Sequence, residues 1–106
     1  MNIKTLKEWC LSNKIEERSI KSFWEAFESY RVDDPEEFRM FFTNYNPEYL
    51  DVFIDTVSLS LGNWPECNYT RVVTNLRIFY QEKGVGSYRL VFTLSGEIDD
   101  DYLTLY

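Results

Sequence analysis

Hydrophobic positions along this chain recur with two different periods, and the change between them falls near residue 50. In the first part, Ile20, Phe23, Trp24, Phe27 and Tyr30 follow at i, i+3, i+4, i+7 and i+10. That spacing gathers apolar side chains on one side of an α-helix. Glu16, Glu17, Arg18, Lys21, Glu25 and Glu28 fill the other positions, so an amphipathic helix is predicted over 16–31. Upstream, Leu6, Trp9, Cys10 and Leu11 form the apolar side of a shorter helix ending near Asn13. Thr5 and Glu8 have the spacing of a capping box at its start. Downstream, Asp34 can cap a third helix, Pro35 suits its first position, and Glu36 and Glu37 favour the positive end of its dipole. Phe38, Phe41, Phe42 and Tyr45 supply its apolar face. Asn46-Pro47-Glu48 repeats that start signal, and Tyr49, Leu50, Phe53, Ile54 and Val57 continue at helical spacing. Residues 47–57 therefore fit either a further helical turn or the start of a strand.

Beyond that point the period becomes two. Thr56-Val57-Ser58-Leu59-Ser60-Leu61 alternates as a half-buried strand does. Gly62-Asn63-Trp64-Pro65 breaks the pattern, and Tyr69–Tyr80 predicts a long strand with Val72, Leu76, Ile78 and Tyr80 on one face. Glu82-Lys83-Gly84-Val85-Gly86 reads as a turn in which the two glycines supply positive φ. Tyr88, Leu90, Phe92 and Leu94 line the next strand, Ser95-Gly96 turns again, and Tyr102–Tyr106 makes a short last strand. Helices first and consecutive antiparallel strands afterwards predict an α+β fold. About three N-terminal helices pack on one face of a C-terminal meander of about four strands. A length of 106 residues suits a single domain spanning 1–106.

Composition adds that this fold has ample material for a core. Hydrophobic residues make up 44% of the chain and aromatic residues 18%, which rules out an intrinsically disordered chain. Eighteen carboxylates against eleven lysines and arginines give a formal charge of −7. Such a balance disfavours direct binding to nucleic acid or an anionic membrane, because phosphates are held by clustered Lys and Arg. The nearest basic grouping, Lys4, Lys7, Lys14, Arg18 and Lys21, is interleaved with Glu8, Glu16 and Glu17 as on an ordinary solvated helix. The first residues carry no apolar export signal and no stretch is long enough to span a membrane. Cys10 and Cys67, far apart and in no CxxC pair, then read as reduced thiols of a cytoplasmic protein. The sequon Asn68-Tyr69-Thr70 has no role in such a compartment.

Candidate chemistry is constrained most by an absence. The chain has no histidine, which removes the commonest general base, proton shuttle and metal ligand. No serine, cysteine or glycine-rich motif stands in for it, so neither catalysis nor a cofactor or metal is implied. The densest charge cluster is Glu97, Asp99, Asp100 and Asp101, which reads as a solvated hairpin turn, an acidic contact surface or, disfavoured because consecutive carboxylates do not converge from an extended backbone, a divalent-cation site. Asp51, Asp55 and Glu66 would extend the acidic side if the first and last strands lay close together. Aromatic residues are the other candidates, because large rings often anchor interfaces. Trp9, Phe23, Trp24 and Phe27 suit the core, whereas Trp64, beside Pro65 in a turn, and Tyr49 suit the surface as well.

In size and charge the chain is similar to small acidic proteins that block a basic partner, such as bacterial toxin-immunity proteins and phage-encoded inhibitors. That similarity implies a non-enzymatic domain docking on a basic partner protein, such as a toxin or nuclease, through Glu97, Asp99, Asp100, Asp101, Tyr102 and Trp64. The rival expectations are a subunit of a homodimer or larger assembly, and a small-ligand module using carboxylates and tyrosines.

Overall fold

A computed structural model describes all 106 residues, Met1 to Tyr106. Three helices precede a four-stranded sheet: α1 (Ile3–Ser12), α2 (Ile15–Asp33) and α3 (Pro35–Phe41), then β1 (Leu50–Gly62), β2 (Tyr69–Tyr80), β3 (Lys83–Thr93) and β4 (Ile98–Leu105). The strands pair antiparallel in the order β1-β2-β3-β4. The α+β meander expected from the two periods is the fold, with the helices covering one face of the sheet.

Helix boundaries follow from local chemistry. Asn2, rather than Thr5, caps α1, its Oδ1 accepting from the Thr5 amide at 2.8 Å. The chain then turns through Lys14 in the left-handed region, φ 51°, and α2 begins at once. Asp34 caps α3 by accepting from the Glu37 amide, and Pro35 occupies its first position. Asn46-Pro47-Glu48 starts only a single 3-10 turn, Pro47–Tyr49, before the backbone extends into β1. The ambiguity over 47–57 therefore resolves to strand from Leu50. Alternation of Val52 and Ile54 with Asp51 and Phe53 outweighs the helical spacing once β2 is there to pair with.

The core lies between α2, α3 and the inner face of the sheet. Phe23 and Phe27 are fully buried. Phe23 stands edge-on to Tyr88 of β3 with ring centres 5.8 Å apart, and Phe27 packs against Phe38 and Phe42, both at 5.4 Å. Phe42 in turn meets Tyr80 at 5.2 Å. Aromatic pairs of this kind add to the burial term. Trp9 and Trp24 pack at the margin of this cluster, while Phe41 lies partly exposed and does not share the α3 core stripe. Inside, Ser19 and Thr74 satisfy one another by a 3.1 Å hydrogen bond between α2 and β2. The Trp9 indole donates to the Leu94 carbonyl at 2.9 Å, fastening α1 to the end of β3.

Two expectations about the sheet need correction. The β2–β3 turn takes its positive φ from Gln81 and Glu82, and Gly84 and Gly86 lie within β3. Gly86 is required for space instead: a Cβ there would collide with the Thr104 carbonyl oxygen of β4. The last strand begins at Ile98 rather than Tyr102, so the aspartate run lies in β4 and is not a hairpin turn. Register slips by one residue at Asp55 in β1 and at Asp99 in β4, marking β-bulges.

Candidate binding site on the open face of the sheet

Antiparallel pairing fixes which side chains share a face. Val72, Thr74, Leu76, Ile78 and Tyr80 of β2 point to the helices and are buried. The intervening Tyr69, Arg71, Val73, Asn75, Arg77 and Phe79 therefore stand on the uncovered face. Register adds Phe53, Ser58 and Ser60 from β1, Arg89 and Val91 from β3, and Asp100 and Tyr102 from β4.

On this face rings and guanidinium groups are interleaved. Arg71 lies 3.8 Å from the Tyr69 ring centre, Arg89 lies 4.6 Å from that of Tyr102, and Arg77 lies 5.2 Å from that of Phe79. Phe53 and Phe79 stack nearly parallel at 5.6 Å. Each guanidinium thus lies over an aromatic ring, which orders a side chain that would otherwise be free. Ser60, Tyr69, Arg71, Arg89, Asp100 and Tyr102 are among the residues around a shallow depression of about 190 Å³ here.

Each residue of the acidic run has its own surroundings. The Asp99 carboxylate accepts from the Tyr69 hydroxyl at 2.6 Å and from Arg71 Nε at 3.0 Å. These two hydrogen bonds hold its pKa below the ordinary aspartate value. The bulge at Asp99 turns its side chain to the same face as Asp100. Asp100 accepts from the Tyr102 hydroxyl at 2.8 Å. Asp101 belongs to the other face, where it accepts at 2.7 Å from Tyr88, whose hydroxyl in turn lies 2.7 Å from Ser22 on α2. Burial pushes the Tyr88 phenol well above its ordinary pKa, and the nearby Asp101 carboxylate reinforces the shift. It stays protonated and donates. Asp101 is therefore a tie between β4, β3 and α2 rather than a free surface charge.

Glu97 sits in the β3–β4 turn, exposed, its backbone carbonyl accepting from the Thr93 amide at 2.8 Å. Trp64 occupies the β1–β2 loop at the same end of the sheet and is 76% exposed. The structure thus brings Asp99, Asp100 and Tyr102 together on the open face, places Trp64 and Glu97 at its end, and turns Asp101 away. Asp51 and Asp55 do not join the run, because β1 and β4 are opposite edges. Glu66, in the β1–β2 loop, lies at the Trp64 end. Nowhere do three or more Cys, Asp or Glu side chains converge as metal ligands do. No helix is long and apolar enough to cross a membrane, and Cys10 and Cys67 are unpaired.

Arg71, Arg77, Arg89, Tyr69 and Phe79 were not singled out as site residues by the sequence pattern. Their signal was the other phase of β2: the positions between the core residues read Tyr, Arg, Val, Asn, Arg, Phe. Only a folded sheet shows that these meet Arg89 and Tyr102. The three arginines face Asp51, Asp99 and Asp100 on the same surface. The face is close to neutral and lacks the net positive charge of a phosphate-binding groove. Compared with known proteins, the chain matches no family model, no curated protein and no solved structure.

Proposed function

We propose that this protein is a non-catalytic binding domain that docks a basic partner protein through the open face of its sheet, in the manner of an inhibitor or immunity protein. One observation carries this reading. The face presents Phe53, Tyr69, Phe79, Tyr102, Arg71, Arg77 and Arg89 and no lysine or glutamate. Protein interfaces are enriched in aromatic residues and arginine and depleted in lysine and glutamate. The side chains are also already held against one another, which lowers the entropy lost on docking.

Charge supplies the second part. Around the neutral centre the ends and edges carry Asp55, Glu66, Glu82 and Glu97 against Lys83 alone. An acidic rim attracts a basic partner and speeds encounter, while desolvated rings at the centre slow release. Glu97, Asp99, Asp100, Tyr102 and Trp64 keep their place in this picture at one end of the face. Asp101 becomes a structural neighbour.

The test is affinity capture from the native host with three forms of the protein: unaltered, Tyr69→Ala/Tyr102→Ala on the open face, and Glu25→Lys/Glu28→Lys on α2. Retention by the unaltered and α2 forms, with loss by the open-face form, supports the reading. Loss only by the α2 form would move the docking surface to the helices.

A further inference from the structure

The two edges of the sheet are protected very differently. β4 carries Asp99, Asp100 and Asp101 in succession, with a bulge at Asp99. Charges and bulges of this kind prevent edge-to-edge pairing. β1 has a bulge at Asp55, but from Thr56 to Gly62 it reads Thr-Val-Ser-Leu-Ser-Leu-Gly, with neither charge nor proline and no further slip in register. That is seven residues of bare, regular, β-favouring edge.

Beside this edge, on its helix side, runs a groove of about 370 Å³ between the α1–α2 corner and β1; its apolar walls are Cys10, Leu11, Ile15, Ile54 and Val57, and Lys14, Glu16 and Glu17 complete its lining. Leu11 is 71% exposed and Leu61 52% exposed. Both have apolar surface with nothing on it in the single chain. The whole molecule carries the same sign. Its accessible surface is 7134 Å², against about 6,300 Å² expected for a monomer of 12.8 kDa. Its radius of gyration is 15.3 Å, where a compact chain of this length has about 13 Å. The molecule is elongated, 46 × 24 × 20 Å, so more of its surface stands open than in a compact chain.

We infer that the occupant of this edge is a second copy of the chain, with β1 pairing antiparallel to β1 about a two-fold axis at Leu59. Centring on the charge-free stretch pairs Val57 with the copy's Leu61 and Ser58 with the copy's Ser60. It leaves both Asp55 carboxylates outside the ladder. The copy's Leu61 then stands opposite Val57 at the mouth of the apolar groove, which accounts for its exposure in the single chain. An isologous contact of this kind closes on itself as a dimer. The product is one eight-stranded antiparallel sheet with its acid-guarded β4 strands outermost. The inference is independent of which partner the open face binds, and two copies of that face would then lie side by side.

Sedimentation equilibrium of the isolated full chain tests it, with no partner present. At tens of micromolar the unaltered chain is expected at about twice 12.8 kDa, falling towards the monomer on dilution. Ser58 and Ser60 are exposed on the open face, so Ser58→Asp/Ser60→Asp should leave the fold intact, which circular dichroism checks. It places like charges opposite one another and should give a monomer at every concentration. Ser58→Asp/Ser60→Lys places opposite charges across the same pairs and should restore the dimer. A monomeric unaltered chain, a dimeric double-aspartate variant, or a monomeric Asp/Lys variant would each overturn the proposed pairing. None of these masses bears on the open-face variants above, so the two proposals fail separately.

Discussion

The two faces of this sheet use the same residue types for opposite ends. On the helix side, the innermost aromatic rings pack closely on one another, with Arg18 and Arg31 reaching over Phe92, Phe38 and Tyr45 at the margin; Phe23, Phe27, Phe42 and Tyr88 are almost wholly out of water. On the open side, rings of similar size are paired with arginine and half exposed, as Tyr69 at 43% and Tyr102 at 45% show. Burial makes the first set a source of stability. The second set gains little from burial in the single chain and has most of its desolvation still to gain from contact. A ring thus signals core or interface by how far the folded chain buries it, not by its own identity.

The sharpest way to separate the two sets is to truncate one ring from each. Phe27→Ala should destabilise the fold by about 3–5 kcal/mol in chemical denaturation, the usual range for a buried ring. A loss below about 1 kcal/mol would show that the helix stripe is not core. Tyr102→Ala should change stability far less, within about 1 kcal/mol. Against the captured partner it should weaken binding by about 2 kcal/mol or more, chiefly through faster dissociation. An unchanged dissociation rate would place the anchor elsewhere.

Rim charges should behave differently from either ring. Glu66→Lys/Glu97→Lys alters exposed side chains at the Trp64 end, so stability should hold while association slows by about tenfold at low salt. The difference should fade as salt rises. Asp101 is unsuited to this test because it accepts from buried Tyr88.

The smallest effect is expected at Asp99. Its pKa is depressed in the folded state by Tyr69 and Arg71, so its contribution is fully present above the unfolded aspartate value of about 3.9. It fades as pH falls through the lower folded value. Asp99→Asn should therefore remove that small contribution at neutral pH and flatten the acid end of the stability profile, where the unaltered protein has already lost it. An unaltered acid limb would show that this exposed cluster contributes nothing to folding.

Periodicity was enough for most of the fold because burial on one side imposes it. The limits of β2 and the Asp34-Pro35 start of α3 were readable from local signals alone. Leu50–Asp55 was not, because Asn46-Pro47 mimics a helix start and only pairing with β2 extends the backbone. Ile98–Asp101 was hidden for a related reason: three consecutive aspartates resemble a turn until Tyr69, Arg71, Tyr88 and Tyr102 are present to receive them. Of the candidate site, Tyr102, Asp99 and Asp100 were legible by composition. The arginines were not, because Arg71 and Arg89 are eighteen residues apart in the chain and come to line one depression only when β2 and β3 pair.

The hydrogen bond from Trp9 to Leu94 spans 85 residues. As the chain is made, α1 and the Phe23–Phe27 stripe therefore emerge long before the strand end that fastens them. The helices must wait, with their rings unprotected, until β3 has been synthesised and paired. Such long-range closure makes for slow, late-committing folding. It leaves the apolar stripe of the nascent helical segment exposed for that interval.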